Sequence, residues 1–195
     1  MYKYPSGSKI SNFQVSNSND NFHYQEITFE PNTALNTNAL SSTATQSALD
    51  FHIYSTPGKQ FYDLYVQFTL NESTGTNSAQ ITPVPWFVER IEYRTQNNDL
   101  IQTMYSYNIF KNLTLLSNEQ AKKVFPLMGI NPETWKPHFN TLLQPGDKRT
   151  YFMWLQGDIF SANQGIFANW RGYIILRLYL RGNIIESGNG NINVS

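Results

Sequence analysis

Strict alternation of apolar and polar residues marks several stretches of the chain as half-buried β-strands. In Phe61–Leu70, the side chains of Tyr62, Leu64, Val66, Phe68 and Leu70 fall on one side, and those of Asp63, Tyr65, Gln67 and Thr69 on the other. Residues 48–55 set Leu49, Phe51 and Ile53 against Asp50, His52 and Tyr54. Residues 172–181 set Ile174, Leu176, Leu178 and Leu180 against Tyr173, Arg177 and Arg181. Two more runs read as strands: Arg149–Gln156, in which Trp154 is expected in the core, and Phe22–Phe29, closed by Pro31. Near the middle, Pro83–Tyr107 holds two aromatic-rich apolar runs joined by the turn-prone cluster Gln96-Asn97-Asn98-Asp99, the signature of a β-hairpin.

Between these strands the pattern lapses. Residues 32–45 and 71–80 are polar and read as long loops. Ser117-Asn118-Glu119-Gln120 has capping-box spacing and predicts one short helix through Phe125, ended by Pro126 or Gly129. Prolines at 132, 137 and 145 make the rest of that insertion irregular. Residues 1–21 lack apolar surface and read as a polar arm, and residues 187–195 read as a linker-like tail. A single domain over residues 22–186 remains, with about eight strands and no strand–helix alternation that would build a parallel sheet. The expected fold is an all-β antiparallel β-sandwich of jelly-roll type with one short inserted helix.

Composition narrows the partners. Charged residues are 14% of the chain, well under the roughly 25% of an average domain, and 14 basic side chains balance 14 acidic ones. Such a surface favours self-association and offers no cationic grip on phosphates, so direct nucleic-acid binding is not expected. The chain has no cysteine, which excludes disulfides and thiolate metal sites. It has no apolar leader and no run near the roughly 18 apolar residues of a membrane span, so neither secretion nor bilayer insertion is expected.

No catalytic chemistry stands out. His23, His52 and His138 lie singly, and His52 has only Asp50 at the two-residue spacing that converges on one strand face. There is no Gly-x-Ser-x-Gly elbow and no glycine-rich loop opening a helix. No catalytic, cofactor or metal residue is therefore assigned. Arg90, Glu92 and Arg94 share one face of the hairpin, as cross-strand ion pairs on a solvated surface or as a ladder meeting a neighbouring subunit. Trp135 and Trp170, flanked by loop residues, could be exposed either at a subunit interface or as a platform for sugar rings.

These features together carry a family resemblance. The segment PWFVERIEYRTQNNDLIQTMYSYNIFKNLTLLS, the short helix, the proline-rich connection and the closing GYIILRLYLRG strand resemble the first jelly roll of the double jelly-roll viral major capsid proteins. The matching hairpin positions are Trp86, Ile91, Glu92, Ile101 and Tyr105. The resemblance implies a structural coat subunit without enzymatic activity or cofactor, which self-assembles into an icosahedral shell by jelly-roll packing. Its implied partners are copies of itself, as a homotrimer, and other capsid proteins. The implied place is the virion, assembled inside the host cell, with an underlying viral membrane in some members that the subunit does not span. Arg90, Glu92, Arg94, Trp135 and Trp170 are then the candidate inter-subunit contacts. Complete members have two jelly rolls, whereas this chain has the pattern of one. The alternative is a β-sandwich carbohydrate- or receptor-binding module, such as a viral vertex or spike protein.

Overall fold

The computed structural model describes residues 28–30, 32, 47–55, 60–61, 64–72, 78–116, 119–131, 133–134, 136–137, 141–155, 159, 166–167, 170–182, 184–188 and 192–194. The arm of residues 1–21 and most of the predicted first strand lie outside these residues, as do His23, Ser117, Trp135 and His138. The elements in chain order are β1 (Ser47–Tyr54), β2 (Gln60–Phe61), β3 (Tyr65–Glu72), β4 (Ala79–Ile81), a 3-10 turn (Val84–Trp86), β5 (Val88–Thr95) and β6 (Leu100–Met104). There follow helix α1 (Tyr107–Leu116), a 3-10 segment (Glu119–Met128), β7 (Leu142–Leu143), β8 (Lys148–Trp154), β9 (Ile166–Phe167), β10 (Tyr173–Leu180), β11 (Ile185–Gly188) and β12 (Ile192–Val194).

One sheet runs in the order β1-β10-β5-β6 and is antiparallel throughout. Two three-stranded ladders, β11-β4-β7 and β12-β3-β8, share a common logic. Each is built from one strand of the pairs β11/β12, β4/β3 and β7/β8, consecutive in sequence and in matching order, so the ladders are the two halves of one interrupted second sheet. β2 and β9 pair separately. With β2 and β9 set aside and each interrupted strand counted once, sequence neighbours alternate between sheets in the manner of a jelly roll, apart from the β5–β6 hairpin.

The core lies between the sheets. Leu49, Ile53, Ile91, Tyr93, Leu176 and Leu178 face inward from the first sheet, and Val66, Phe68, Leu70, Tyr151 and Met153 from the second; all are buried. The predicted alternation of β1, β3 and β10 thus holds residue for residue where it is described. Phe68 meets Phe87 edge-on at 5.5 Å, one of the aromatic contacts that fill the sandwich. Gly172, with φ +78°, precedes β10 and lies so close to the Gln96 side chain that a Cβ would collide with it.

Four sequence expectations change. The hairpin is shorter than Pro83–Tyr107: residues 84–86 form a 3-10 turn, and Tyr107 already begins α1. The α-helix comes earlier than the capping-box segment, which instead forms 3-10 turns around Pro126, whose ring nitrogen has no proton to donate. Trp154 faces outward, half-buried, with its ring 6.4 Å from Tyr65, because β8 places Tyr151, Met153 and Leu155 inside. The tail read as a linker from residue 187 contains paired strand: β11 bonds to β4, and β12 to β3 through Leu70–Glu72. Backbone pairing at a sheet edge needs no apolar pattern, so asparagine and glycine do not preclude it.

Burial of Tyr151 has a measurable consequence. Removal from water pushes its phenol up to about 12, with Asp147 adding to the rise and Arg149 opposing it. The folded state therefore keeps a proton that the unfolded chain releases near pH 10, and stability present below about pH 10 is lost as pH rises towards 12. The urea midpoint is expected to fall between pH 9 and 12, and to fall less steeply in Tyr151→Phe.

Candidate assembly surface

The outward face of the four-stranded sheet holds the charges singled out in the hairpin, together with two that sequence spacing does not connect. Strand register aligns Asp50, Arg177, Glu92 and Thr103 in one row across β1, β10, β5 and β6. Arg177 forks onto Asp50: Nε donates to Oδ1 at 2.7 Å and Nη2 to Oδ2 at 2.6 Å. The bidentate bond raises the Arg177 guanidinium above its ordinary value, with burial opposing. Arg94 donates from Nε to Glu92 Oε2 at 2.8 Å and from Nη1 to the Asn98 carbonyl at 2.9 Å, tying the hairpin turn to the strand.

Glu92 is the hub. It is only 5% exposed although it points away from the core. Arg94 covers one side, Arg90 approaches Oε1 with Nε at 3.4 Å, and the Tyr179 hydroxyl donates to Oε2 at 3.2 Å. Arg90 in turn lies over the Tyr179 ring, with Cζ 3.6 Å from its centroid. Arginine stems and a tyrosine ring thus screen a carboxylate on what would otherwise be an open sheet face. Further along the face His52 stacks on Tyr173 at 4.1 Å and bonds to Asn32 Nδ2. Asp50 and His52 are each engaged elsewhere, and among the described residues no three metal-ligating side chains converge.

The sequence candidates therefore separate. Arg90, Glu92 and Arg94 come together, and both arginines pair with Glu92 within the subunit, although Arg90 Nε makes no hydrogen bond. Trp170 lies apart from them, packed against the core: its ring stacks on Phe61 at 5.8 Å and its Nε1 donates to the Ile53 carbonyl at 3.3 Å. It is no exposed platform. Trp135 lies outside the described residues. The residues sequence reasoning missed are Asp50, Arg177 and Tyr179, whose signal is charged or hydroxylated positions on the outward alternation of strongly apolar strands.

No family model matches the chain, and no curated protein matches it. Among solved structures it is similar to VP54, the major capsid protein of the virus PBCV-1, as fitted into a cryo-EM reconstruction of the virophage Sputnik. That match has a TM-score of 0.53 and 14% identity, and covers 90% of this chain and 44% of the other. A chain of the quasi-atomic PBCV-1 capsid gives a TM-score of 0.52 at 14% identity, with the same coverages. The chain has a capsid jelly-roll fold. It spans less than half the length of these structures.

Proposed function

We propose that the chain is a structural coat subunit of a virus, acting by self-assembly without a catalytic step. The observation that carries this reading is the fold likeness to two capsid chains over 90% of the sequence. Composition supports it independently: the net charge is zero, so copies meet without net repulsion. The reading includes association with further copies, as a trimer, and with other capsid components in the virion, over a membrane where one is present. The charged network of β1, β10 and β5 serves this role as scaffold, tying the strands of the outer sheet face to one another. The carbohydrate-module alternative has no comparable support, since Trp170 is committed to the core.

Light scattering coupled to size-exclusion chromatography tests the reading. The expected result is a mass that is a multiple of 22.5 kDa and grows with concentration. A strict 22.5 kDa species at every concentration would contradict it.

A further inference from the structure

Helix α1 is built inside out. Its inward stripe is Tyr107, Lys111 and Leu115, at the four-residue spacing of one helix face, and all three are buried. Leu115 closes a small satellite core with Phe125, Met128 and Ile130. Lys111, the helix's one charged side chain, is 1% exposed, while the opposite face presents Ile109 at 51%, Phe110 at 42% and Leu113 at 60%. An exposed apolar patch of this kind marks a surface that another molecule covers.

We propose that the outward face of α1, centred on Ile109, Phe110 and Leu113, is where a second copy of this chain docks; the proposal rests on the coat reading and names the surface through which it acts. Three observations select that occupant. The face carries no charge, the composition of an interface centre. A membrane-surface helix would ring its apolar stripe with exposed lysine and arginine, and α1 has neither. The whole chain is neutral, and an uncharged apolar patch is complementary to itself, as a two-fold contact between identical copies requires.

The test uses two variants of the full chain. Ile109→Asp/Leu113→Asp places charges at positions already in water in the single subunit, so the thermal midpoint should stay close to wild type while association weakens at least about tenfold per residue. Leu113→Cys introduces a single thiol into a chain that has none. Its reaction with a maleimide should slow by at least about tenfold as protein concentration drives assembly. Wild-type assembly matched by equal assembly of the aspartate variant, or a thiol equally reactive at every concentration in an assembling sample, overturns the α1 contact and leaves the coat reading standing. A wild-type chain that never assembles overturns both.

Discussion

Glu92→Lys is expected to destabilise the folded subunit by about 3–5 kcal/mol, the cost of leaving buried charge without its partner. The substitution removes the carboxylate that Arg90, Arg94 and the Tyr179 hydroxyl share, and sets an ammonium among them, directly across from Arg177. Urea unfolding would show it as a lower midpoint at unchanged slope. Glu92→Gln keeps an acceptor for Tyr179 and should cost less, about 1.5–3 kcal/mol, the worth of hydrogen bonds to a charged group. Exchanging the two charges, Glu92→Arg with Arg94→Glu, should not restore stability, because the new arginine still faces Arg90 and Arg177. Recovery to the wild-type midpoint would show Glu92 and Arg94 to be an isolated pair and would remove the network from the account.

The second large effect is expected at Gly129. Its φ of +72° lies in the left-handed region, where a side chain costs about 1–2 kcal/mol. An added Cβ would also sit 2.6 Å from Thr141 Cγ2 and 3.5 Å from the Tyr151 ring. Thr141 is fully buried and its hydroxyl accepts from Gln80 Nε2, so it cannot swing aside without breaking that bond. Overpacking of this kind adds about 1–3 kcal/mol, so Gly129→Ala should lose about 2–5 kcal/mol in all. Adding Thr141→Ser removes the colliding methyl and keeps the hydroxyl. The double variant should regain the steric part but not the backbone part, and a double variant no better than the single would place the whole cost in the backbone.

The fold was legible in the sequence where one face of a strand is buried and the other wet. β1, β3 and β10 satisfy that condition, and their inward residues follow from period-two alternation alone. α1 does not satisfy the corresponding condition for a helix. Its apolar stripe of Ile109, Phe110 and Leu113 lies outside and Lys111 inside, the reverse of the burial a hydrophobic stripe predicts, and the capping box ten residues later drew the helix to the wrong place. β11 and β12 were hidden because edge pairing is made by the backbone, which asparagine and glycine supply as well as valine does. In the candidate site, Arg90, Glu92 and Arg94 were visible as one strand face, but Asp50 and Arg177 are 127 residues apart and meet only through register. Trp170 failed as an exposed aromatic because its ring packs on Phe61 and its Nε1 is tied to the Ile53 carbonyl.

Cryo-EM of the purified, concentrated 195-residue chain tests the central claim most directly, since fold and assembly are read from one map. The account predicts symmetric assemblies in which each subunit shows the sheet order β1-β10-β5-β6, the interrupted second sheet and an intact Glu92 cluster. Images holding only dispersed particles of one 22.5 kDa chain, or a map whose strands pair in another order, would contradict it.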